Sequence, residues 1–86
     1  MKLGNDARSF MRNAFPGRGQ VIDRGIREYA SFQELCVDYR RCAVALDEWR
    51  QADSGNSERV REYEELLSEL VREIEGWLDA LEEGRA

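Results

Sequence analysis

SERVREYEELLSELVREIEGWLDAL, residues 57–81, is the stretch whose reading decides the fold. Its apolar residues Val60, Tyr63, Leu67, Leu70, Ile74, Trp77 and Leu81 recur at alternating steps of three and four. This heptad a/d spacing lines one side of a helix with a seam for a neighbouring helix. Leu66, Val71 and Leu78 lie beside the seam and widen it into a stripe suited to a bundle core. Glu58, Glu62, Glu65, Glu69, Asp79 and Glu83 occupy the opposite face. Gly76 falls on that outer side, where glycine weakens a helix by about 1 kcal/mol relative to alanine. The helix is therefore expected to bend there or to receive another backbone closely.

Immediately upstream, residues 51–56 read as a short turn. Gly55 suits the left-handed position past a helix end, and Asn56 or Ser57 suits the next N-cap. Before it, Ile22, Tyr29, Phe32, Cys36, Tyr39, Ala43 and Leu46 keep one heptad register, flanked by Leu35, Cys42 and Trp49. This predicts a second long helix, continuous or slightly kinked from about Ile22. Gly25 weakens that continuity, and Ser31 with Glu34 spells a capping box that would instead start a separate helix. Two long helices joined by so short a connection become antiparallel neighbours.

Nearer the start, Asn5 or Asp6 can cap a short helix with Ala7, Phe10, Met11, Ala14 and Phe15 on one tight face. Pro16, Gly17 and Gly19 then break it, making residues 16–20 a hinge. The expected fold is all-α. Residues 1–20 form an amphipathic helix and Gly/Pro hinge, and residues 21–86 an antiparallel two-helix hairpin. The hairpin completes a bundle by dimerisation or by binding a partner; the amphipathic helix of two or three turns cannot persist alone and must dock, on its own bundle or on a partner.

Composition narrows the function. The chain has 86 residues, 42% of them apolar and 36% charged, with a mean hydropathy of -0.69. That is one small, surface-rich helical domain of marginal stability alone. There is no run of the roughly 20 apolar residues that a membrane span needs, and no secretory-type apolar core. The expected setting is cytoplasmic, away from membranes. Cys36 and Cys42 are too far apart along a helix to bridge and read as small core residues.

The chain contains no histidine. This removes the commonest general base, the Ser/His and Cys/His nucleophile pairs, most zinc sites and the Glu-x-x-His motif of di-iron bundles. Glu62-x-x-Glu65 and Asp79-x-x-Glu82 superficially resemble the paired carboxylates of helical nucleotide pyrophosphohydrolases. On one helix they lie roughly 25 Å apart and cannot share a metal within one chain. No catalytic residue, metal or cofactor is expected, and the reading is non-enzymatic.

Charge is divided unevenly. Residues 1–27 carry +4, from Lys2, Arg8, Arg12, Arg18, Arg24 and Arg27 against Asp6 and Asp23, whereas the remainder carries -9. Two functions are weighed. The first is protein–protein binding as an adaptor, assembly factor or inhibitor. Its anchors would be Phe10, Met11 and Phe15 on the arm and the heptad line Ala30, Val37 and Val44. The acidic face of Glu58, Glu62, Glu65 and Glu69 would select a basic partner. The second is a nucleic-acid accessory role with Arg8, Arg12, Arg18 and Arg24 on phosphates, set against the plainer reading that the basic arm is solvated or docks on the chain's own acidic helices. The aromatic residues exceed what one hairpin can cover, which favours a homodimer or a place in a larger complex.

Overall fold

The computed structural model describes residues 5–52 and 57–84. They form four helices and no strand: α1 (Asn5–Ala14), α2 (Gly19–Glu28), α3 (Ala30–Gln51) and α4 (Ser57–Glu82). The side chains of Asn5 and Asp6 and the turn residues Gly55 and Asn56, expected to cap and to turn, lie outside the described residues.

α4 follows its heptad pattern, with Ile74, Leu78 and Leu81 buried. α3 faces it, and the pairs between them run in opposite senses along the two helices. The Arg50 guanidinium donates to Glu64 at 2.6 Å, the Cys42 thiol to the Tyr63 carbonyl at 3.6 Å, and the Phe32 and Trp77 ring centroids are 5.6 Å apart. At about 1.5 Å per residue these helices set the longest dimension of 45 Å.

One long helix from Ile22 does not form. Tyr29 is extended (φ -129°, ψ 109°) and separates α2 from α3. Its amide donates to the Gly25 carbonyl and closes α2, while its carbonyl accepts from Gln33 and opens α3. Nor does the capping box form: Tyr29 is the N-cap, no side chain caps α3, and Ser31 is exposed one residue inside it. The single extended residue swings α2 back over the bundle. Ile22 and Phe32 share a core because both helices converge on it, not because one helix carries both.

Gly25 is what allows the return. A Cβ there would lie 2.8 Å from a Phe32 ring carbon and 3.0 Å from a Leu81 methyl. The residue that weakens α2 as an isolated helix is thus a point of close approach between α2 and side chains of α3 and α4. Gly76 is the opposite case: among the described residues, a Cβ there would meet nothing within 4 Å.

The break after α1 occupies residues 15–18 and not 16–20, because Gly19 and Gln20 belong to α2. Phe15 precedes Pro16 and still donates to Met11, and Gly17 adopts φ +84°, a left-handed turn suited to glycine. Arg18 accepts the first α2 bond through its carbonyl, from the Ile22 amide, and its side chain is left to reach elsewhere.

The core lies at one end. Met11, Ile22, Phe32, Cys36, Ile74 and Leu78 are each 0% exposed, with Ile26 beside them. Phe10 and Phe15 tilt against Tyr39, and Tyr29 and Phe32 against Trp77, with centroids 5.5–5.9 Å apart. This cluster runs along α3 from Phe32 to Tyr39. Beyond it, Cys42 and Leu46 are buried but lie outside the cluster that α1 and α2 help to build.

Candidate functional site

The residues expected to meet a partner or a phosphate fall into different surroundings. Met11 is wholly buried within the chain, and Phe10 and Phe15 are half-buried on Tyr39, so these three side chains fill the chain's own core. An amphipathic helix this short finds its cover intramolecularly because Tyr29 turns α2 to meet it. Ala30 and Val44 are exposed and Val37 is half-buried, so that line remains at the surface.

The four arginines weighed as phosphate contacts all have partners inside the chain. Arg8 and Arg12 face the Asp23 carboxylate at 3.6 and 3.7 Å, joining α1 to α2. Arg18 reaches the far end of α4. It donates from Nη2 to Asp79 at 2.7 Å and to Glu82 at 2.8 Å, and from Nε to Glu82 at 3.1 Å. Those bonds hold the Glu82 carboxyl below the usual carboxylate range and raise the guanidinium further above its own. Arg24 donates to the Leu81 carbonyl in the last turn of α4. Two cations thus meet the negative end of the α4 dipole, where they are favoured electrostatically. The basic N-terminal third is complementary to this chain's own acidic helix end.

The acidic residues of α4 remain at the surface. Glu58, Glu62, Glu65 and Glu69 are exposed, and Glu62 pairs with Arg59 at 3.7 Å. Asp79 and Glu82 serve the clasp on Arg18. Among the described residues, no group of three or more Cys, Asp and Glu side chains is placed to hold a metal. Burial pushes the Cys36 thiol up to about 12 and raises Cys42 as well, so neither is a thiolate at neutral pH.

Among the described residues, one feature with room for a ligand is a groove between α3 and α4. It encloses about 500 Å³ and is lined by Asp38, Arg41, Cys42, Ala45, Tyr63, Leu66 and Leu70. No residue of α1 or α2 lines it. On α3 the small Cys42 and Ala45 stand with Asp38 and Arg41; on α4 the walls are large, Tyr63, Leu66 and Leu70. A second hollow of about 300 Å³ at Glu48, Trp49 and Ala52 lies farther along α3, towards its C-terminal end. Arg59 stacks over the Trp49 ring there at 5.2 Å. Leu66 is 45% exposed, and Val44, elsewhere on α3, is 39% exposed.

The sequence reading placed Leu66 in a bundle core and missed it as a surface residue. Its flanking position marks it as needing a third helix, but nothing in the spacing shows that α1 and α2 stop short of it. No helix among the described residues is long and apolar enough to cross a membrane. The chain matches no protein-family model, no curated protein and no solved structure.

Proposed function

We propose that this chain is a non-enzymatic protein-binding module, an adaptor, assembly factor or inhibitor, that engages its partner along the open side of α3 and α4. One observation carries the reading: Leu66, on the core side of a long amphipathic helix, is left 45% exposed beside an apolar groove. Burying a leucine of that kind stabilises a complex by roughly 1.5–3 kcal/mol, which makes it a natural anchor. The surface is distinct from the Phe10, Met11 and Phe15 face, which the chain uses itself. The nucleic-acid alternative has less support, because Arg8, Arg12, Arg18 and Arg24 are all engaged internally.

Affinity capture from the native host, with the wild-type chain and Leu66→Glu in parallel, tests this. The expected result is a defined protein retained by the wild type and lost by the variant, with helical circular dichroism unchanged. Identical capture by both chains contradicts the reading. Retention of nucleic acid that washes off steeply with salt would favour the alternative instead.

A further inference from the structure

The α3–α4 groove is lined mainly by apolar side chains, together with Asp38 and Arg41, and acidic residues border it. On α4, Glu62 and Glu69 lie four residues before and three after Leu66, and Glu73 lies three after Leu70. That spacing sets all three one column outside the leucines, so Glu62 and Glu69, read from the sequence as part of the outer face, sit at its groove-side edge. On α3, Asp38 lines the groove itself, Glu34 is one turn before it and Glu48 three residues beyond Ala45. Against these six carboxylates stand Arg41, on the α3 wall, and Arg59, which stacks on Trp49 and pairs with Glu62.

Shape adds to charge. Cys42 and Ala45 keep the α3 wall low between Asp38 and the second hollow, leaving room for a third helix beside Arg41. From Asp38 in the groove to Ala52 in the second hollow, this side of α3 spans roughly 21 Å, about four helical turns.

We infer that this groove seats one amphipathic helix of a partner protein whose apolar face is bordered by lysine or arginine. The inference rests on the protein-binding reading above and adds the partner's chemistry to it. A second copy of this chain is the poorer occupant, because pairing groove on groove would set one acidic border against another. A helix edged with cations fills the groove with its apolar face and meets both borders with opposite charge.

The test uses the full chain, isotopically labelled, and two synthetic helical peptides of about four turns. Both carry leucine and alanine on one face; one is edged with lysine and the other with glutamate. The lysine peptide is expected to shift the amides of Ala45, Tyr63, Leu66 and Leu70 while leaving Ile22 and Ile26 unmoved. It should bind at least roughly tenfold more tightly than the glutamate peptide, with the advantage shrinking as salt is added. Replacing Glu69→Lys and Glu73→Lys together should reduce or reverse that preference without disturbing the fold, since both side chains are exposed.

Equal binding of the two peptides, binding of neither, or shifts confined to another face overturns the inference. Light scattering separates this failure from failure of the broader reading. If the chain is a dimer that Leu66→Glu dissociates, the groove takes a second copy; the basic-helix inference falls and protein binding stands. If the peptides fail and Leu66→Glu alters neither capture nor mass, both fall.

Discussion

The two ends of the α3–α4 pair carry the same kind of seam and meet opposite fates. Where α1 and α2 lie across it, Phe32, Cys36, Ile74 and Leu78 are fully buried. Towards the α3–α4 connection the pattern continues through Val60, Tyr63 and Leu67, yet these stay half-exposed and Leu66 more so. Two helices can hide one narrow seam between them, but a stripe as wide as a bundle core needs a third layer. The difference lies in what covers each end, and the heptad spacing of α4 alone does not encode it.

The largest expected contrast uses one residue type on one helix. Leu78→Ala, at the covered end, should cost about 2–5 kcal/mol, whereas Leu66→Ala should cost less than about 1 kcal/mol. Urea unfolding of both variants measures it, and similar losses would erase the distinction between the ends. Next come the glycines. Gly25→Ala should destabilise by about 1–3 kcal/mol, because its methyl collides with Phe32 and Leu81. Gly76→Ala, with open space around it, should stabilise by up to about 1 kcal/mol. The same gain in helix propensity therefore appears with opposite signs.

A smaller effect is expected at the clasp. Arg18 keeps the Glu82 carboxyl below its ordinary value, so the clasp contributes stability above the usual carboxylate range of about 4. That contribution is lost as pH falls through the lowered value. The thermal midpoint of Arg18→Ala should therefore lie below the wild type at neutral pH and converge with it in acid or in high salt. A gap that persists in strong acid would show that Arg18 acts through packing.

The thiols report on the two ends without changing stability. Cys42 borders the groove and should react with a thiol reagent before Cys36, which is sealed in the covered end. Mass spectrometry after digestion reads the order. Faster labelling of Cys36 would mean that the covered end opens first.

Much of this was legible in the residues. The α4 helix, the Phe32–Cys36–Tyr39 face and the break at Pro16-Gly17 follow from spacing and from backbone chemistry that acts locally. Three features were not legible, each for a tertiary reason. The Tyr29 break is masked because Ile22 and Phe32 keep the register of a shared core. Gly25 reads as a local cost and acts as a close approach, which only the folded neighbours reveal. The arginines stay open between the chain's own acidic helices and phosphate until Asp23, Asp79, Glu82 and the α4 carbonyl end are brought to them. The groove itself was half legible: Leu66 was placed beside the seam, but how far α1 and α2 reach is a matter of three dimensions.

Native-state hydrogen exchange along α3 and α4 of the free chain tests the covered-end, open-end contrast most directly. Amides of residues 32–39 and 74–81 should be protected at least roughly tenfold more strongly than those of 43–51 and 59–67. Uniform protection along both helices would contradict it, since an open groove cannot stabilise its walls as fully as a packed core does.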